Sequence, residues 1–167
     1  MNPDLEKGDF LMPARPGDLD VEKRRPADIY IPTGWNADPM ALDFAITSPT
    51  RPDIIAEAAI KPLTAASCYS SFKRTYLDTA SQCRRVGVDF LPLVAESTGA
   101  WTDEALAFFH HVCTIRSRWS HQPEAALFHE LMQELSVVIR STNDRGVLRR
   151  MGELAARLEH AEDDGSD

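Results

Sequence analysis

Two aspartates sit where aspartate is unusual. Asp28 opens the run Asp28-Ile29-Tyr30-Ile31, and Asp43 lies inside Ala41-Leu42-Asp43-Phe44-Ala45-Ile46-Thr47. Both runs are β-branched and aromatic, and aspartate is depleted in strands. A carboxylate there either does structural work, accepting hydrogen bonds from a loop or pairing with an arginine, or it holds a metal. The two strands of a hairpin present side chains at the same end of a sheet, and paired carboxylates suit a hard divalent ion such as Mg²⁺. Lys73 and Tyr76 are three apart on a helical stretch with Tyr69 one turn before, so they share a face. A lysine beside a metal-bound water orients or deprotonates it and offsets charge on a phosphate. The plainer reading is a surface lysine beside a core tyrosine. Glu96 ends a further strand-like run and either faces the same site as another metal ligand or base, or caps the next loop.

Elements must position these groups. Residues 28–31 and 41–47 read as strands joined by Pro32–Met40, which carries Gly34, Asn36 and Pro39 and suits a long hairpin connection. Residues 53–59 could form a short helix boxed in by Pro52 and Pro62. From Ser67 to Val86 the pattern is helical, with Phe72, Tyr76, Ala80 and Cys83 on one face and Gly87 as its stop. Val88–Ala95 reads as a strand, and Pro92 within it predicts an edge or a bulge. Thr102 is the expected N-cap of a helix running to about Trp119. A second helix starts near Pro123 with the stripe Leu127, Leu131, Leu135, Val138 and Ile139, widened by Phe128 and Met132. A third is expected from about Asp144 to His160. The fold class is α/β or α+β: a small mixed sheet, a central helix and a helical C-terminal extension. The expected divisions are a linker over 1–23, an αβ core over 24–101, the extension over 102–160 packed on the core, and a disordered acidic tail over 161–167.

Charge narrows the partners. The 167 residues carry 26 acids against 18 bases, a net of −8, which argues against a simple basic nucleic-acid binder. Much of the acidity is terminal: residues 151–167 hold six acids and one base, whereas 28–150 hold 14 acids and 12 bases. A near-neutral middle can carry a local basic patch. No apolar run approaches the length of a membrane span. MNPDLEKGDF lacks the basic stretch and apolar core of a secretory signal. Cys68, Cys83 and Cys113 are odd in number and contain no CxxC pair, so a reducing intracellular compartment is expected. Cys83 and Cys113 read as buried small hydrophobes. The adjacent His110 and His111, and His121 with His129, lack the spacing of a zinc helix. No nucleotide-binding glycine loop and no nucleophile-elbow motif occurs. No aromatic-rich basic stripe for stacking single strands is evident either.

Taken in order, RRPADIYIP, ALDFAITSP and FKRTYLDTASQCRRVGVDFLPLVAESTGAW resemble the restriction-like endonuclease segment found beyond the reverse transcriptase of many non-LTR retrotransposon proteins, and through it the PD-(D/E)xK superfamily. The resemblance spans roughly residues 24 to 101. It implies a restriction-endonuclease-like fold and Mg²⁺-dependent (or Mn²⁺-dependent) nicking of DNA. Asp28 matches the first metal-binding acid, Asp43 the second, Lys73 the catalytic lysine moved to the helix, and Tyr76 its aromatic partner. Ala27 separates Pro26 from Asp28, and the usual strand lysine after Asp43 is absent, so the implied site depends on Lys73. Arg24, Arg25, Lys73 and Arg74 are the implied phosphate contacts. Origin in a larger reverse-transcriptase polyprotein implies a nuclear address. A rival expectation is an inactive nuclease-fold module whose C-terminal helices bind a partner or form a homodimer through Leu127, Leu131 and Leu135.

Overall fold

Alternation along two paired strands decides the architecture. In a computed structural model describing residues 4–5 and 27–163, with side chains over 27–153, the chain is mixed α+β. Its elements are β1 (Asp4–Leu5), β2 (Ile29–Ile31), β3 (Met40–Thr47), α1 (Ile55–Ala58), α2 (Thr64–Thr75), a 3₁₀ turn (Tyr76–Asp78), α3 (Thr79–Arg85), β4 (Asp89–Glu96), α4 (Asp103–Ser120) and α5 (Glu124–Asp163). The sheet order is β1-β2-β3-β4. β2 and β3 are antiparallel with Ile29 opposite Leu42, and β3 and β4 are parallel with Asp43 opposite Pro92. The three helices from α1 to α3 make the crossover that a parallel pair requires.

Each face of the sheet is covered. Met40 and Leu42 of β3 join Leu91, Leu93 and Ala95 of β4 in a core shared with Trp101, Ala105, Phe108 and Phe109 of the α4 region and Ile139 of α5. The opposite parity, Ala41 with Val88 and Phe90, packs on Cys83 of α3. Period-two alternation of a half-polar strand therefore puts Asp43 on the α2–α3 side. Glycine is demanded at two turns. A Cβ on Gly34 would run into the Met40 side chain inside the β2–β3 connection, and Gly87 ends α3 with φ +72°.

Several expectations need correcting. The central helix is not continuous: Leu77 (φ 50°) and Asp78 (φ 57°) adopt left-handed conformations between α2 and α3. Ser71 and Thr75 turn their hydroxyls back onto the carbonyls of Ser67 and Ser71, a competition that weakens the helix where it ends. Phe72 and Tyr76 are exposed, and the buried positions of α2 and α3 are Thr64, Ala65, Ala66, Ser70, Thr79 and Cys83. The second and third C-terminal helices are one 40-residue helix, α5, which runs through Gly146 and Gly152 and on to Asp163, into the stretch expected as a disordered tail. Leu127 is buried, and Leu131 and Leu135 are partly buried against the chain's own core, while Val138 of the same stripe is exposed. A strand at Asp4–Leu5 falls inside the expected linker; the rest of that linker, Arg24, Arg25 and residues 164–167 lie outside the described residues. Among the described residues β4 lies at the edge of the sheet, beside β3, and Pro92 lies in it.

Candidate active site on the α2 face of the sheet

Asp28 and Asp43 are brought directly opposite each other. Continuing the β2–β3 register by one step from Ile29 and Leu42 pairs the two acids. The Asp28 backbone N–H donates to the Leu42 carbonyl at 2.9 Å. Its side chain then takes over as acceptor, and the Phe44 N–H donates to Asp28 Oδ2 at 2.7 Å. β2 starts at Ile29 because a carboxylate replaces the backbone in the ladder. Cross-strand neighbours have Cβ atoms about 5 Å apart, and like charges there repel.

α2 supplies the compensating cation. Lys73 Nζ lies 2.8 Å from Asp43 Oδ2. That oxygen is buried and has no partner of hydrogen-bond geometry among the described residues, so the contact is an ion pair with acceptor capacity left over. Burial pushes the Asp43 carboxyl above its ordinary value; Lys73 offsets this only in part, and the charge of Asp28 adds to the rise. Burial opposes the charge on Lys73, but the Asp43 carboxylate outweighs it and lifts the ammonium above the ordinary lysine value. Lys73 therefore stays cationic at neutral pH, which suits it to stabilising negative charge and unsuits it to deprotonating water. Two carboxylates against one ammonium give Asp28, Asp43 and Lys73 a formal net charge of −1.

The aromatic partner of Lys73 is Tyr69, not Tyr76. The ammonium sits 5.7 Å from the Tyr69 ring centroid, one turn back on α2. Tyr76 follows the last residue of α2 with ψ 120°, so the three-residue spacing to Lys73 never becomes a shared helical face. Its ring packs instead on Phe72, 5.2 Å between centroids. Arg74 does not face the acids: its Nη2 donates to Glu104 Oε2 at 2.7 Å and ties the end of α2 to the start of α4. Glu96 is buried, but it pairs with Thr47, four positions along from Asp43 and Pro92, about 13 Å down the strand. Its Oε1 accepts from the Ala66 N–H, at 3.5 Å, in the first turn of α2. The site therefore consists of two acids and a lysine, with Glu96 at the other end of the helix.

Two carboxylates are the number with which Mg²⁺ is commonly held when substrate phosphate and water complete its shell. The spare acceptor capacity of Asp43 and the net negative charge fit such an ion. Among the described residues no group of three or more His, Cys, Asp or Glu side chains converges on a metal position. Elsewhere, His110 stacks on Phe128 at 3.7 Å and His111 meets the Trp35 ring edge-on, so both imidazoles are packing groups. Among the described residues no helix is long and apolar enough to cross a membrane. No family model, curated protein or solved structure matches the chain.

Proposed function

We propose that the chain is a Mg²⁺-dependent (or Mn²⁺-dependent) DNA endonuclease of restriction-endonuclease-like type, derived from the segment beyond a non-LTR retrotransposon reverse transcriptase. The observation that carries this reading is the Asp28–Asp43 pair on adjacent strands with Lys73 against Asp43. An antiparallel hairpin followed by a helical crossover to a parallel strand supports the fold type. Acting within a larger polyprotein, with a nuclear address, follows from the same reading.

In this mechanism Asp28 and Asp43 would hold the ion, which would supply Lewis acidity at the phosphate and lower the pKa of the attacking water. Water adds to phosphorus and the bond to the leaving sugar oxygen breaks. The water's proton passes to solvent, and the leaving oxygen takes a proton from solvent. Lys73 stabilises the charge that builds on the phosphoryl oxygens. Tyr69 holds the ammonium over its ring. The Phe44 N–H fixes one Asp28 oxygen and so orients the other.

The test is nicking of supercoiled plasmid at low salt with Mg²⁺ or Mn²⁺, where phosphate contacts are strongest. Cleavage by the parent, abolished in Asp43→Ala and reduced at least about 100-fold in Lys73→Ala, is expected. Equal cleavage by Asp43→Ala and the parent would sink the reading. One observation favours a second reading, an inactive module: each acid already has an internal partner, Phe44 N–H for Asp28 and Lys73 for Asp43. Folded parent that neither nicks DNA nor binds Mg²⁺ in calorimetry would select it.

A further inference from the structure

The cation beside the acid pair is one the chain supplies itself. Lys73 Nζ stands 2.8 Å from Asp43 Oδ2, an oxygen buried from solvent. Asp28 adds to the attraction on the same ammonium, so one lysine serves both carboxylates. The donor at Asp28 Oδ2 is the neutral Phe44 N–H, which compensates no charge. The neighbouring base, Arg74, is committed to Glu104. Lys73 belongs to the last turn of α2, and its ammonium has a second resting place within reach: the Tyr69 ring, 5.7 Å away.

A divalent ion on the same carboxylate would meet that ammonium. Mg²⁺ bonds a carboxylate oxygen at about 2.1 Å, so on either oxygen of Asp43 it comes within a few ångströms of Nζ. Like charges that close, in a half-buried site, repel far more than in water. The affinity of a carboxylate site follows its charge, which is −2 for the two acids alone and −1 with the lysine against them. The four-carbon stem of a lysine swings without any change in the backbone. We propose that Lys73 is a tethered competitor for the cation site: its ammonium holds Asp43 in the metal-free protein, and a divalent ion gains the acid pair by displacing it toward the Tyr69 ring. The ammonium so released is the one that meets the phosphate. This inference rests on Asp28 and Asp43 as metal ligands, part of the function proposed above, and not on DNA cleavage.

The experiment reads metal binding without DNA. Mn²⁺ is titrated into the full chain by calorimetry at low salt. Lys73→Met, which keeps the stem and removes the charge, is expected to bind at least about 10-fold more tightly than the parent. Lys73→Arg keeps the charge and should bind within about threefold of the parent. Adding Asp43→Asn to Lys73→Met should abolish the gain, which separates this site from the chain's other acids. Displacement is read on the parent alone, by amine acylation and mass spectrometry, so it decides the case even where a variant folds poorly. Labelling of Lys73 should rise severalfold at saturating Mn²⁺ while that of the exposed Lys61 stays constant. Equal affinity in Lys73→Met and the parent, or Lys73 labelling that bound Mn²⁺ leaves unchanged, would overturn the competitor and leave the acid pair as a metal site. No binding dependent on Asp43 in any variant, Lys73→Met included, would remove the metal site and the competitor together. Plasmid nicking is scored separately: tighter Mn²⁺ binding by Lys73→Met with no nicking by the parent keeps the competitor and rejects the nuclease.

Discussion

The Lys73 ammonium and the Asp43 carboxylate face each other at 2.8 Å across the gap between α2 and β3. Their side chains are 26% and 13% exposed, so neither end is freely solvated. Asp43 also has Asp28 as its cross-strand neighbour, and the lysine is what makes two adjoining carboxylates tolerable on that face. Removing one partner of a fully buried pair costs about 3–5 kcal/mol, and of an exposed pair under about 1 kcal/mol. Lys73→Met is therefore expected to destabilise by about 1–2 kcal/mol in urea unfolding. In a double-mutant cycle, Asp43→Asn with Lys73→Met should recover part of that loss. Strict additivity of the two changes would mean that the contact contributes nothing.

Acid titration tests the same carboxylate. Asp43 titrates above its ordinary 3.8, first because it is buried and then because Asp28 is near, with Lys73 opposing. The native state thus holds a proton at pH values where the unfolded chain has released it. Asp43 weakens the fold as pH rises through that window, and the penalty fades as pH falls toward 3.8. Lys73, also raised, makes its contribution in full below 10.5 and loses it only as pH climbs through the folded value. Asp43→Asn removes the acid window alone. The stability of the parent relative to Asp43→Asn should rise as pH drops from about 7 to about 4. A difference that falls over this range would contradict the raised carboxyl.

Asp28 has a structural task that can be separated from metal binding. Its Oδ2 accepts the Phe44 N–H at 2.7 Å, where β3 has run past the end of β2. Asp28→Ala leaves that N–H to solvent and is expected to cost about 1 kcal/mol. Asp28→Asn keeps a carbonyl acceptor of the same shape and should retain the parent's melting temperature within about 2 °C. On the proposed chemistry both variants lose nicking, because the amide is a poor ligand for a hard cation. Full activity in Asp28→Asn with lost activity in Asp28→Ala would assign Asp28 to scaffolding alone.

How much of this was legible in the sequence follows from how local each determinant is. The Asp28 and Asp43 strands, Gly87 as a stop and the start of α4 after Thr102 are written in neighbouring residues, and the structure has them. The opposition of Asp28 and Asp43 follows from hairpin register, which alternation and the acids' strand positions already suggested. The break at Leu77 and Asp78 was not legible, since a leucine with positive φ has no propensity signal. That break moved Tyr76 away from Lys73 and left Tyr69, four residues earlier, as its ring. The spacing of Tyr69 and Lys73 was visible all along; the choice between the tyrosines needed the end of α2. Glu96 shows a different limit. A strand end says nothing of distance along the strand, and four residues put it beyond reach of Asp43. The merging of two C-terminal helices into α5 went against Gly146 and Gly152, whose breaking tendency the helix absorbs.

α5 carries two apolar segments of opposite fate, and their contrast is measurable. Leu127 is 1% exposed, near where α4 and α5 cross, while Leu148 is 68% exposed and its neighbours Val147 and Met151 are also open. The reason is reach: Asn143 Nδ2 donates to the Ser97 carbonyl at 3.0 Å, and the side chains described beyond it are largely exposed. Leu127→Ala removes buried methyl groups and opens a cavity, which is expected to cost about 2–5 kcal/mol. Leu148→Ala removes a group already in water, and alanine is the better helix former, so its effect should stay within about 0.5 kcal/mol. Chemical denaturation of both variants at low protein concentration checks the pair. A loss at Leu148 as large as that at Leu127 would mean that the far half of α5 is covered in solution.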